Sequence, residues 1–249
     1  MKVLLVAVAL SLLVFSSLWS QVHGTTIAIF CDDDSIVVVT DSKLSRTDGS
    51  GLSNGFCKIR RIGACWWTVG GFYGSQDLGY DVWSIIDSVA LTSHGLRDMA
   101  DGFVRVDSIP LTNALRREWT MNQDVFYSMD RTNVLQAVFF FGIDQGRPRC
   151  YLRAFIRDTK RKFVTPRYLG EAWANDIKMQ LIPYDLAKEF IDRHPKLRGA
   201  DHLGIATRFV KYAIKNRPDQ CGFPLDTIII RKNGTISDHR RSTCRSSEY

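Results

Sequence analysis

The sequence predicts an α+β layered domain in which two stacked β-sheets carry helices on their outer faces. Three observations predict it. Strand-length β-branched runs arrive in pairs, and helical apolar stripes also arrive in pairs. The two kinds form separate blocks, in the order strands, two helices, strands, two helices, strands, rather than alternating βαβ units. Length and composition fit one globular domain: 249 residues, 45% apolar and 24% charged, with no internal repeat and no linker.

Residues 1–24 read as a cleaved signal peptide. Lys2 supplies a positive start, "VLLVAVALSLLVF" an apolar stretch, and Val22 and Gly24 are small residues at the −3 and −1 positions before Thr25. The apolar run is short for a membrane span, and Ser16, Ser17 and Ser20 dilute its end. The chain is therefore expected to be secreted, with no membrane attachment after cleavage. The domain is expected to run from 25 to 238, followed by a basic, flexible tail over 239–249.

Along the domain, "TTIAIFC" (25–31) and "SIVVVTD" (35–41) flank the turn-like "DDD" and read as a hairpin. "KIRRI" (58–62) and "ACWWTVGG" (64–71) form a second pair after the Gly/Ser/Asn/Asp-rich loop 47–55. Trp66 and Trp67 alternate across that strand, so one of them is expected in the inter-sheet core. From Ser75, Leu78, Val82, Ile85, Ile86, Val89 and Ala90 recur at helical spacing. A second helix is expected over 110–121, through Leu111, Ala114, Leu115 and Trp119, with Pro110 near its first turn. Strands return in "NVLQAVFFFGI" and "RCYLRAFIRD", joined by the turn-forming "DQGRP", and "KFVTPRYLG" reads as a short further strand. Helical periodicity resumes over 175–193, where Pro183 is a candidate break, and again over 201–215. "LDTIIIRKNGTIS" closes the chain as a hairpin around a two-residue Asn233-Gly234 turn.

Several function classes find no support. There is no CxxC, no HExxH and no His/Cys ligand cluster, so no metal or other cofactor is expected. The net charge is +7, with basic residues gathered in "IRDTKRKF" and "DHRRSTCRSS". These read as solvated surface, since no nucleic-acid motif accompanies them and no specific nucleic-acid partner is expected. Six cysteines, Cys31, Cys57, Cys65, Cys150, Cys221 and Cys244, are an even set in an exported chain. Fifteen full pairings remain open. Asn233-Gly234-Thr235 is a glycosylation acceptor.

The chemistry turns on Thr25. If cleavage follows Gly24, Thr25 carries a free α-amine beside its own hydroxyl, and one residue supplies both nucleophile and base. Such a site also needs a cation near the amine, a carboxylate to hold the cation and backbone N–H donors for the oxyanion. Asp41 ends the second strand, returning toward Thr25. Lys58 opens the third strand. Gly70-Gly71 ends the fourth, expected just before the first helix.

The motif string "GTTIAIF…SIVVVTDSK…CKI…TVGG" resembles the catalytic β-subunits of proteasomes, within the N-terminal-nucleophile hydrolases. The resemblance implies a four-layer αββα sandwich and cleavage at Gly24. It assigns catalytic roles to Thr25, Asp41, Lys58 and Gly70, with Gly71 in support. The sixteen positions from Thr25 to Asp41 match the family spacing. The sequence departs where Lys43 replaces an arginine, where Glu171 follows Gly170 in place of a serine, and where "PDQCGFP" sets Asp219 one residue too close to Cys221. The resemblance implies a threonine peptidase acting on peptides or other amides and a ring-like homo-oligomer. A small-molecule amidase on the same scaffold, or a catalytically inactive basic binding or structural protein, are the alternatives.

Overall fold

The structure, a computed structural model, describes residues 25–45, 51–53, 57–64, 66–71, 79–121, 134–157, 166–168, 179–194, 201–241 and 244. Within them lie two five-stranded antiparallel sheets and four helices.

The first sheet begins with the expected hairpin. β1 (Ile27–Cys31) pairs with β2 (Ser35–Asp41), with Ile27 opposite Thr40. The acidic turn between them is closed by Asp32, whose Oδ1 accepts the N–H groups of Asp34 and Ser35 at 2.8 and 2.6 Å. β3 (Leu44–Ser45) and β4 (Gly51–Ser53) form a small separate pair. β5 (Ile59–Arg61), β6 (Trp66–Gly71), β7 (Val134–Asp144), β8 (Arg147–Arg157) and β9 (Pro166–Tyr168) make the second sheet, in that order. β7 and β8 are joined by a two-residue turn, with Gln145 at φ 50° and Gly146 at φ 73°. β10 (Met179–Ile182), β11 (Leu225–Arg231) and β12 (Ile236–Asp238) complete the first sheet, ordered β10-β1-β2-β11-β12.

The helices are α1 (Val82–Ala90), α2 (Leu96–Met121), α3 (Tyr184–Arg193) and α4 (His202–Asn216). Three apolar clusters organise them. One packs α1 and α2, through Ile86, Phe103 and Leu115, on Val138, Phe140 and Phe155 of the second sheet. A second joins the facing sides of the two sheets, where Ile29, Val38 and Ile228 meet Trp67, Phe139 and Leu152. The third packs α3 and α4, through Phe190 and Phe209, on Ala28, Val37 and Val39. Alternation along β6 thus sends Trp67 into the inter-sheet core, while Trp66 packs toward the helices.

Four local expectations need correction. α1 starts at Val82, not Ser75: Asp81 is its N-cap and accepts the Trp83 N–H at 3.0 Å. α2 runs from Leu96 and holds Pro110 in its interior. The carbonyl Pro110 leaves without a helical donor belongs to Val106, which is 46% exposed, so water can satisfy it. Gly102 is what allows α2 to lie close to α1, since a Cβ there would sit 2.8 Å from Val89 Cγ1. Residues 179–182 are strand, not helix, because they pair with β1 from Ile27 to Phe30; the helix starts only after Pro183. The last hairpin has a three-residue loop, 232–234, closed by Arg231 N–H to Thr235 C=O at 2.9 Å, with Gly234 at φ 82°. Asn233 lies exposed at its tip.

Cys57 and Cys244 form a disulfide, while Cys150 and Cys221 keep their thiols. Residues 239–241 and 244 belong to the segment expected to be a flexible tail. They are anchored instead: Arg240 is 4% exposed, the His239 N–H donates to Thr227 C=O at 2.9 Å, and Cys244 is covalently held. No described helix is long and apolar enough to cross a membrane.

Candidate active site

The first sheet brings the head of β1 beside the end of β2. Asp41 is fully buried there and surrounded by donors. Its Oδ1 accepts the Thr26 N–H at 2.8 Å and the Lys58 ammonium at 2.6 Å. Its Oδ2 accepts the N–H groups of Lys43 at 3.1 Å and Gly222 at 3.2 Å. Among the described residues, four donors and no acceptor meet it, the surroundings that suit a carboxylate.

Lys58 is 1% exposed. Burial pushes its ammonium below the usual lysine range, and the charge and hydrogen bond of Asp41, followed by the weaker attraction of Asp226, offset this only in part. Lys58 lies at the inner edge of the second sheet, one residue before β5. The last β5–β6 pair is Ile59 with Val69, and extending that register by one residue sets Gly70 opposite Lys58. Lys58 and Gly70 are thus the residues next beyond that last pair, where the β5–β6 ladder has ended.

Thr26 connects these groups to the start of the chain. Its carbonyl accepts the Thr40 hydroxyl at 2.8 Å and the Asp41 N–H at 3.3 Å, which pins β1 to β2. Its hydroxyl lies 2.9 Å from Cys221 Sγ. Thr25, half-buried, is the next residue outward. Burial pushes the Cys221 thiol up to about 11, with the Asp41 charge adding to the effect, so Cys221 is a neutral packing partner of Thr26.

The turn after α4 seals the other side. The Ser42 N–H donates to Gly222 C=O at 3.1 Å, and the Lys43 ammonium donates to the Pro218 carbonyl. Lys43 therefore ties down the loop that carries Cys221 and Gly222. Asp219 is exposed in the same turn, and among the described residues no hydrogen bond joins it to Asp41 or Lys58. Gly71 closes β6. Gly24 and Glu171 lie outside the described residues. Among the described residues no cluster of His, Cys, Asp or Glu is arranged to hold a metal ion.

A second buried carboxylate, Asp226, is not among the residues that the sequence motifs single out. Asp226 on β11 accepts the Ser42 hydroxyl at 3.1 Å, together with the backbone N–H and the guanidinium of Arg241, each at 3.1 Å. The signal was present: in "LDTIIIR" the inward positions are 226, 228 and 230, and the first of them is an acid. Thr26 was equally legible, as the residue whose N–H must face whatever ends β2.

No family model matches the chain, and no curated protein matches it. Among solved structures it is similar to the Gly-1 mutant of Anbu from Hyphomicrobium sp. strain MC1. That match has 14% identity and a TM-score of 0.48, and it covers 90% of this chain and 91% of the other.

Proposed function

We propose that the chain is a secreted N-terminal-threonine amide hydrolase with a four-layer αββα arrangement, most suited to peptide substrates, and that cutting after Gly24 creates its nucleophile. The observation that carries this reading is the buried Asp41–Lys58 pair at the head of β1, with Asp41 also holding the N–H of the residue after Thr25. The three apolar clusters, one between the sheets and one on each outer face, support the layered reading.

In this reading the released Thr25 amine takes the proton of its own hydroxyl, directly or through water. The oxygen then attacks the carbonyl carbon of the scissile amide. Lys58, buried and positively charged beside Asp41, disfavours a second nearby cation and so keeps the amine unprotonated. Backbone N–H groups at Gly70-Gly71 receive the oxyanion. Collapse of the tetrahedral intermediate expels the amine, which takes the proton from the Thr25 ammonium. Water then hydrolyses the Thr25 ester and restores the free hydroxyl.

N-terminal sequencing of secreted protein should read Thr25 first. A threonine-directed electrophile should add its mass to Thr25, and Lys58→Ala should cut that labelling by about a hundredfold or more. A mature chain beginning at Gln21 alone, cut after Ser20 with Thr25 still internal, would refute release of Thr25 by signal peptidase. A chain beginning at Thr25 that takes no adduct would favour an inactive basic binding protein on the same fold.

A further inference from the structure

We propose that the C-terminal segment, Asp238–Arg241 with Cys244, is a clamp that positions Lys58, and that a dithiol reductant releases it by opening Cys57–Cys244. The clamp grips the chain on both sides of Lys58. Cys57, its preceding neighbour, is bonded to Cys244. Ile59, its following neighbour, gives its carbonyl to Arg240 Nη1 at 3.1 Å. The guanidinium of Arg240 lies over the Trp67 ring at 4.5 Å and is matched in charge by Asp238 at 2.8 Å. A buried arginine stacked on an aromatic face and tied to a backbone carbonyl is a specific anchor, and a solvated tail has no use for one.

The same segment also reaches the Asp41 side. Arg241 holds Asp226, which holds the hydroxyl of Ser42, the residue after Asp41. The Cys244 sulfur lies 3.8 Å from that same Asp226 carboxylate. His239 adds a backbone bond to β11. One short stretch therefore ties the first sheet, through β11, to the second, through β5 and β6, at the edge where Asp41 and Lys58 meet. Cys57 is half-buried, so the disulfide lies near the surface on one side. A dithiol breaks the Sγ–Sγ bond to two thiols and is itself oxidised to a cyclic disulfide. The grip on Ile59 and Ser42 then rests on hydrogen bonds that water can replace.

That Lys58 serves catalysis rests on the hydrolase reading; that the clamp holds Lys58 does not. Reductive methylation followed by mass spectrometry reads the exposure of Lys58 directly, with the exposed Lys211 and Lys215 as internal references. Opening the clamp by dithiothreitol, or by Cys57→Ser with Cys244→Ser, should raise Lys58 methylation about tenfold relative to those references, with far-UV circular dichroism unchanged. Arg240→Ala, with the disulfide intact, should raise it by a smaller factor, and Arg240→Lys should restore part of the protection. Unchanged Lys58 labelling after verified reduction would overturn the proposal. So would labelling that rises only in step with loss of the circular dichroism signal, which would make the disulfide a general staple. A mature wild-type chain that takes no Thr25 adduct would sink the hydrolase reading and leave the labelling result standing.

Discussion

Asp41, at the end of β2, and Asp107, in the middle of α2, both have 0% exposure, yet their surroundings differ in kind. Asp41 receives an ammonium and three backbone N–H groups. Asp107 meets two neutral side chains in a closed ring. Tyr80 Oη lies 2.8 Å from Asp107 Oδ1 and 3.0 Å from Gln136 Oε1, and Gln136 Nε2 donates to Asp107 Oδ2 at 3.0 Å. The ring has three contacts and needs three protons. Tyr80 supplies one and the amide of Gln136 supplies one, whichever way that amide is turned. The third must come from Asp107. Burial accordingly pushes its carboxyl up to about 7, with the bonds from Tyr80 and Gln136 pulling back only in part. Ion pairs on the elements around it join Arg153 of β8 with Asp101 of α2, and Asp87 of α1 with Arg60, while Tyr151 of β8 packs on the same cluster. The fold thus gives one buried acid a cation and backbone donors at the head of β1, and leaves another to keep its proton up to about pH 7 where α2 meets β7. At equal depth, the difference between the two acids lies in their partners: burial acts on both, and among the described residues only Asp41 has a cation to offset it.

The sharpest way to break this comparison is to make the same substitution at both positions. Asp41→Asn leaves the Lys58 ammonium buried without a counter-ion and turns an amide N–H toward other donors. It should cost about 3–5 kcal/mol in urea unfolding and abolish Thr25 labelling. A loss below about 1 kcal/mol would mean that Lys58 is neutral in the folded protein.

Asp107→Asn should act in the opposite direction. Asparagine can donate to Tyr80 from one side-chain atom and accept from Gln136 at the other, as the protonated acid does, and it has no proton to lose. The folded value, about 7, is raised above the ordinary 3.8. The proton's contribution to stability is therefore full below pH 3.8 and is lost as the pH rises through 7. Subtracting the variant's stability–pH curve from the wild type's should isolate a decline over that window of up to roughly 4 kcal/mol, at about 1.4 kcal/mol per unit. At pH 8 the variant should be the more stable protein. A flat difference curve would show that Asp107 titrates normally.

What the sequence revealed follows the same division between local and distant causes. The β1–β2 and β7–β8 hairpins are legible because their partners are chain neighbours and their side chains alternate. Asp41 and Lys58 are legible because strand direction returns one to Thr25 and opens the next strand beside it. The first half of α2 is obscured by Asp107 itself, which occupies the inward stripe position between Phe103 and Leu111 where an apolar residue would announce a helix. β10 is a strand only because β1 offers it an edge, a tertiary cause that a helix-spaced set of apolar residues cannot report. The pairing of Cys57 with Cys244 spans 187 residues and lies beyond any local signal.

The smallest expected effect tests the proton count most directly. A double-mutant cycle of Tyr80→Phe and Gln136→Leu measures the coupling between these two side chains at a chosen pH. At pH 5 Asp107 donates to Tyr80, so the tyrosine proton is free to bridge to Gln136 Oε1, and the coupling should be favourable by about 0.5–1 kcal/mol. At pH 9 the ionised Asp107 draws both the tyrosine proton and the Gln136 amide, since bonds to a carboxylate are the stronger ones. The 3.0 Å contact then sets two acceptors against each other, and the coupling should vanish or change sign. Each single variant loses packing or a hydrogen bond at either pH, but the cycle cancels those losses and leaves only the shared contact. Equal coupling at pH 5 and pH 9 would mean that Asp107 keeps one charge state throughout, and the contrast with Asp41 would fail.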